Sequence, residues 1–248
     1  MGQVRPEDDS LNDYKGLIIG LSGQARTGKD TFANYIVKDY RFVRIGLADP
    51  MKRFCKEVFD FTDEQLWGDR RDHGDLRYNR NSREIGTDPT LKIVMHDLLT
   101  PRYALQTLGT EWGRNCYENV WIEYGIRIAK ELIDDGYATY SEKEGLVHQE
   151  KDQGLIGGVV FSDLRFKNEF DAVRKAGGIL VRIKREGYEG EVGITGHASE
   201  AEQKTVPDSY FDHVIENPPG LMYYFSEIDA LMRKIRPHWP WEAVESTG

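Results

Sequence analysis

An α/β chain built on a parallel sheet, with helices on its flanks, is predicted by three observations. Residues 17–21 (LIIGL) form a short apolar run that leads into a glycine-rich loop and then a helical pattern. Residues 156–161 form a second continuous apolar run, again followed by a helical stretch. After Gly177-Gly178 comes a third strand, residues 179–183, so the strand–helix–strand unit is complete. Short, unbroken apolar strands are those buried on both faces, as in parallel sheets. Their crossover is expected to be right-handed. With 248 residues, 39% hydrophobic and 30% charged, the chain holds one such domain with insertions, or at most two domains.

The loop reads Gly23-Gln24-Ala25-Arg26-Thr27-Gly28-Lys29 and fits G-x-x-x-x-G-K. Gly23 and Gly28 let the backbone curl so that consecutive N–H groups, those of Ala25 to Gly28 among them, point inward. The following helix, with Phe32, Tyr35 and Ile36 on one face, adds the partial positive charge of its N-terminus. Lys29 then reaches the outer phosphates of a nucleotide. The competing reading is a plain glycine turn with a solvated lysine; the strand before and the helix after argue against it. Arg26 either touches phosphate or faces solvent. One position departs from the pattern. The hydroxyl residue that usually follows the lysine and binds Mg²⁺ is replaced by Asp30, with Thr31 next. Either Asp30 binds the metal, directly or through water, or Thr31 takes over.

Composition narrows the function. A net charge of −9 and a pI near 5.3 argue against coating of DNA or RNA. Cys55 and Cys116 lie far apart and outside any metal spacing, which suits reduced thiols in a cytoplasmic protein. No run reaches 18 apolar residues. Residues 1–15 are polar and acidic and read as a loose arm rather than a targeting peptide.

Residues 42–47 form a second strand, and Pro50 suits the first turn of a helix running to about Asp60. Residues 61–100 carry Arg70, Arg71, Arg77, Arg80 and Arg83 with little periodicity; they read as an irregular insertion, solvated or facing an anion. Residues 101–117 look helical up to a break near Gly109. A longer helix follows over 119–134, with Trp121, Tyr124, Ile128 and Leu132 on one face. Residues 139–153 read as a charged spacer.

At the end of strand 156–161, where open α/β sheets place ligands, stand Asp163 and Arg165. Asp163 is an outer-shell Mg²⁺ ligand, a partner of Lys29 or Thr31, or a cap for the next helix. Arg165 faces an acceptor phosphate or pairs with Glu169, four residues on. Residues 186–209 are glycine-rich and polar. A short strand over 212–215, a turn at 217–220 and an amphipathic helix follow, with Leu221, Phe225, Ile228, Leu231 and Ile235 as its buried face. The tail from Pro237 is rich in Trp and Pro.

In combination, GKDT at 28–31, LADPMK at 47–52, LQTLGTE at 105–111, SDLRFKNE at 162–169 and D-x-V-I-x-N at 212–217 resemble the deoxynucleoside monophosphate kinases of tailed phages, from about Leu17 to Ile235. The resemblance implies a P-loop kinase fold with a parallel five-stranded sheet, Mg·ATP as donor and a dNMP as acceptor. It also implies a single domain in which residues 50–136 form a helical acceptor-binding insertion and 186–209 a lid. Lys29, Asp163 and Arg165 become the candidate catalytic residues. Lys52, Arg53, Arg102 and Arg114 become candidates for the acceptor phosphate, with Glu169 beside Arg165. Gln106 and Thr110 become candidates for reading base or sugar, and Trp121 either stacks on the base or packs in the core. Arg185, before the lid, would neutralise transferring phosphate, with His197 joining it or simply exposed. A homodimer in the host cytoplasm is implied as well. Animal-type phosphomevalonate kinases are similar in their GKD loop, S-D-x-R strand end and D-x-V-I-x-N ending. A nucleotide-binding switch that transfers nothing is a third reading; the many arginines suited to a second phosphorylated ligand weigh against it.

Overall fold

The computed structural model describes residues 16–80, 98–135, 138–150, 156–185 and 205–236. The chain divides into two compact units, one drawn from Met1–Gly46, Ile122–Tyr140 and Leu146–Gly248, the other from Leu47–Trp121 and Ser141–Gly145.

In the first unit, β1 (Leu17–Ser22), β2 (Phe42–Ile45), β7 (Gly158–Phe161), β8 (Ile179–Lys184) and β9 (His213–Glu216) form one five-stranded sheet in the order β2-β7-β1-β8-β9. Every pairing in it is parallel. This is the parallel five-stranded sheet with flanking helices that the apolar runs and the resemblance lead one to expect. β1 is central, between β7 and β8, which is why it reads as apolar at every position but Gly20 and Ser22.

Successive residues of β1 serve opposite faces. Ile19 and Leu21 join Val181 and Ile183 under α1 (Lys29–Tyr40) and α7 (Leu221–Ile235), with Phe32, Ile36, Ile228 and Met232 completing a fully buried cluster. Each such side chain stabilises the fold by about 1.5–3 kcal/mol. Gly20 faces the other side, under α6 (Lys167–Lys175). A Cβ there would lie 2.5 Å from Leu164 and 3.5 Å from Val173. From Ile122 on, α5 (Val120–Asp134) belongs to this unit and buries Ile122, Ile128, Ala129 and Leu132; Trp121 and Tyr124, expected on the same face, are only half-buried. In α7 the buried face is turned from the expected one. Tyr224, Ile228, Leu231 and Met232 are buried, whereas Leu221 is exposed. The reason is that the first turn of α7 lies beside the glycine loop rather than over the sheet.

One polar contact ties α1 to α7. Asp229 accepts hydrogen bonds from the hydroxyls of Tyr35 at 2.8 Å and Tyr40 at 2.5 Å, and Tyr35 stacks on Phe225. Burial, and then the Asp229 carboxylate, push both phenols above their ordinary value of 10.0. The folded state therefore keeps these protons where the unfolded chain releases them. That stability is complete below the unfolded value and is lost as pH rises through and beyond it. Thermal melts should show a falling Tm above about pH 10. Tyr40→Phe should flatten that fall while costing about 1 kcal/mol at neutral pH. An unchanged alkaline slope in this variant would remove Tyr40 as its source.

The second unit contains α2 (Asp49–Phe59), α3 (Asp63–Leu66), a 3₁₀ turn (Asp69–Asp72), β3 (Asp75–Asn79) paired with β4 (Leu98–Leu99), and α4 (Pro101–Gln106). Cys55, Phe61, Leu66 and Ala104 form its small core, and burial raises the Cys55 thiol to about 11. The expected irregular insertion is thus ordered over its described parts, 61–80 and 98–100. Short elements are held there by side chains instead of periodicity. Thr62 and Gln65 cap α3 reciprocally. Arg77 binds Asp75 and Asp60 at 2.8 Å each, and its guanidinium holds the Asp75 carboxyl well below the usual range.

Two further expectations need correction. The chain does not break at Gly109: α4 runs on into a π-helical segment, Thr107–Arg114. Gly109 fits there: its carbonyl accepts from the Trp121 indole at 2.9 Å, and a Cβ on it would lie 3.0 Å from Met51 Sδ. The supposed spacer at 139–153 holds a hairpin, β5 (Ala138–Ser141) and β6 (Gly145–His148). Gly145 takes the left-handed backbone that its turn requires (φ 82°). The hairpin tip belongs to the second unit, where Lys143 pairs with Asp63 at 2.6 Å and Arg53 donates to the Glu142 carbonyl at 3.0 Å.

Among the described residues no helix is long and apolar enough to cross a membrane. The N-terminal arm, Arg83, most of the expected lid including His197, and the tail from Pro237 lie outside the described residues.

Candidate phosphate-binding site

β1 ends at Ser22 and α1 begins at Lys29, so residues 23–28 make the connecting loop. The loop runs hard against β8: a Cβ on Gly23 would lie 2.3 Å from the Ile183 carbonyl oxygen. Its far end turns at Gly28, whose φ of 107° belongs to glycine. Between them Thr27 is buried, and its hydroxyl donates to the Gln24 carbonyl at 2.9 Å. Lys29 is buried too. Its ammonium donates to the carbonyls of Gly23 at 2.6 Å and Gln24 at 2.8 Å and stands 3.6 Å from Asp163 Oδ1. A cation is thereby held inside the curl of the loop, at the N-terminus of a 12-residue helix.

Two residues from the far end of the chain clamp the loop. Asn217 Nδ2 donates to the Thr27 carbonyl at 2.8 Å, and the Tyr224 hydroxyl donates to the Gly28 carbonyl at 3.1 Å. Beside them opens a cleft of 360 Å³. Arg26, Lys29 and Arg185 line it against the single carboxylate of Asp30, and Thr31, Asn217, Pro218, Leu221 and Tyr224 complete the wall. Three cations to one anion, beside a helix N-terminus, suit a multiply charged phosphate group. Arg26 and Arg185 are exposed, so their charges are screened until a ligand covers them.

Asp163 and Arg165 also lie in this unit, after β7. The Arg165 guanidinium grips Asp163 Oδ2 at 2.9 and 2.6 Å. The pairing expected with Glu169 takes another form. Buried Glu169 accepts from the backbone N–H groups of Arg165 and Phe166 at 2.8 and 3.1 Å, satisfying the open end of α6. Asp163 does not cap that helix, because the cap position is Phe166. Asp30 points to Arg44, on β2, and forms an ion pair with it. Among the described residues no three His, Cys, Asp or Glu side chains gather in a way that could hold a metal. Mg²⁺ needs only one or two protein oxygens when phosphates supply others, and Asp30, Thr31 and Asp163 carry oxygens of that kind.

The acceptor candidates Lys52, Arg53, Arg102, Gln106, Thr110, Arg114 and Trp121 all fall in the second unit. Lys52 stands 4.0 Å from buried Asp49 and 5.6 Å from the Trp67 ring. Arg102 pairs with Asp72. Arg114 is largely buried, with Glu118 at 3.9 Å. Gln106 is half-buried and Thr110 exposed. Trp121 is fixed through its N–H to Gly109, and a Cβ on Gly113 would meet its ring at 2.4 Å.

Sequence reasoning passed over Arg44, Asn217 and Tyr224. Asn217 closes the D-x-V-I-x-N motif and so carried a signal, and Arg44 is the lone charge in an apolar four-residue strand.

A family model for deoxynucleotide monophosphate kinases matches residues 17–98, a stretch that contains the loop, α1, β2 and α2. A protein of Acanthamoeba polyphaga mimivirus, provisionally named a deoxynucleotide monophosphate kinase, is 28% identical over 212 residues, covering 86% of this chain and 94% of its own. Among solved structures, a sugar kinase from Janibacter sp. HTCC2649 is similar with a TM-score of 0.40 at 10% identity, covering 91% of this chain and 98% of its own. Shikimate kinase from Bacteroides thetaiotaomicron is similar with a TM-score of 0.38 at 11% identity, covering 89% and 98%.

Proposed function

We propose that this chain is a deoxynucleoside monophosphate kinase. A phosphate oxygen of the dNMP attacks the γ-phosphorus of Mg·ATP, the bond to the β–γ bridging oxygen breaks, and ADP and a dNDP leave. The observation that carries the reading is the loop 23–29 with Lys29 held inside it; the likeness to deoxynucleotide monophosphate kinases supports the choice of acceptor.

Such a transfer needs alignment and charge neutralisation more than covalent chemistry. Lys29 and the amides from Ala25 to Gly28 hold the β- and γ-phosphates, with Gly23 keeping the loop's close path. Arg26 and Arg185 add charge from the cleft wall. Asp30, Thr31 and Asp163 are the residues that would hold Mg²⁺, which when bound supplies further neutralisation between phosphates. Arg165, in the first unit, is assigned to the acceptor phosphate, with Glu169 fixing the backbone under it; Lys52, Arg53, Arg102 and Arg114, in the second unit, are assigned to the acceptor by the resemblance and by their charge. We assign Gln106, Thr110 and Trp121 to the nucleoside.

The deciding assay measures ADP release from Mg·ATP with a panel of dNMPs, NMPs, mevalonate 5-phosphate and no acceptor. Turnover with dNMPs is expected. Turnover only with mevalonate 5-phosphate would overturn the acceptor, and binding without acceptor-dependent turnover would make the protein a switch. The acceptor arginines add a sharper test. A planar guanidinium binds a phosphate through two N–H bonds, and a charge-assisted contact of that kind contributes roughly 1.5–3 kcal/mol, about 10- to 150-fold in affinity. Arg165→Ala and Arg114→Ala should each weaken dNMP use by about that factor, with Arg→Lys restoring only part. Binding of a non-hydrolysable ATP analogue should hold in Arg114→Ala and fall less than dNMP use in Arg165→Ala, which also frees Asp163 beside Lys29. A variant that loses the analogue and keeps the dNMP puts its arginine on the donor side.

A further inference from the structure

Arg44 is an anomaly in its own strand. β2 is an edge strand of four residues, and the other three, Phe42, Val43 and Ile45, are apolar. Its guanidinium makes three contacts at once. Nε donates to Ser162 Oγ at 2.9 Å, Nη1 to Asn34 Oδ1 at 3.2 Å, and Nη2 to Asp30 Oδ1. Asp30 and Asn34 stand one turn apart on α1, immediately after the loop lysine. Ser162 is buried at the end of β7 and precedes Asp163, whose carboxylate is 3.6 Å from Lys29 Nζ.

Stability is a poor account of this arrangement. Asp30 is 75% exposed and Arg44 37%, and exposed ion pairs contribute about 0–1 kcal/mol. Geometry is a better one. A rigid planar fork that meets three acceptors on two elements fixes the distance and rotation between them. Here those elements are the first two turns of α1, which begin at Lys29, and the end of β7, just before Asp163. We propose that Arg44 is a positioning residue for the phosphate loop, acting through Asp30 and Asn34 on one side and Ser162 on the other. Asp30, standing where a hydroxyl residue is usual, is then the charge that anchors this fork. The inference rests on the nucleotide reading of the loop and adds to it a residue that touches no nucleotide.

The test uses the full chain and four variants: Arg44→Ala, Arg44→Lys, Asp30→Asn, and Arg44→Ala with Asp30→Asn. Each is titrated with a fluorescent non-hydrolysable ATP analogue and melted. Arg44→Ala should weaken the analogue about tenfold, with Tm lowered by no more than about 4 °C. Arg44→Lys should recover only part of the affinity, because the ammonium keeps the charge and loses the fork. Asp30→Asn should lose a similar factor, and the double variant should be no worse than either single one. Wild-type affinity in Arg44→Ala and Asp30→Asn would overturn the proposal, as would losses that simply add. A wild-type chain that fails to bind the analogue would sink the nucleotide reading and this inference with it. Binding by wild type with equal binding by the variants sinks this inference alone.

Discussion

Replacing Lys29 by methionine should lower kcat for ADP release by roughly 10²-fold or more while the protein stays folded. Methionine keeps an unbranched stem in the buried slot, so packing changes little. What disappears is the ammonium that now donates to the carbonyls of Gly23 and Gln24 and stands near Asp163. In the reading proposed above, that ammonium follows the migrating phosphoryl group. Its removal then costs more in the transition state than in the ground state, and the loss falls on kcat before KM. Single-turnover rates at saturating dNMP, beside circular dichroism, would measure it. An unchanged kcat in folded protein would overturn the assignment of the loop.

Gly28→Ala should damage both stability and nucleotide affinity, although it adds only one methyl group. The backbone there has a φ of 107°, and the new Cβ would lie 2.5 Å from Asn217 Nδ2 and 3.2 Å from the Tyr224 ring. Backbone strain of this kind costs about 1–3 kcal/mol. Displacing Asn217 breaks its bond to the Thr27 carbonyl, a further loss of about 1 kcal/mol. Together they predict a Tm lower by about 5–15 °C and an ATP-analogue affinity lower by at least about tenfold. Asn217→Ala removes the bond without the strain, so its losses should be smaller. Scanning calorimetry and the same titration would check both, and a Gly28→Ala protein with wild-type Tm would show that the loop does not hold this turn.

How far the sequence carried these conclusions depended on the length scale of the signal. The strand–loop–helix unit at 17–40 was legible because burial on both faces makes β1 apolar and because only glycine suits positions 23 and 28. β7, α6 and β8 were legible for the same reason. In the second unit the helix after Pro50 was legible, but residues 61–80 were not. The elements there are four or five residues long and are held by Thr62–Gln65 capping, the Arg77 ion pairs and a small core around Phe61. None of these produces a period. The hairpin at 138–148 was hidden by its charged tip. The loop's supports were missed for another reason: Asn217 and Tyr224 are about 190 residues away in sequence, a separation across which spacing carries no information. The turn of α7 that exposes Leu221 and buries Tyr224 follows from that same clamp.

The central place of β1 also sets the order in which the molecule can be assembled. Residues 17–20 pair with 158–161, and residues 19–22 pair with 179–182. A ribosome adding about 5–20 residues per second therefore takes about 7–30 s to pass from β1 to its first neighbour. The loop waits longer still, because its clamp comes from positions 217 and 224. Contacts so distant along the chain make for slow folding. In the proposed reading, nucleotide stabilises only a chain whose loop is already closed, so it acts after these steps.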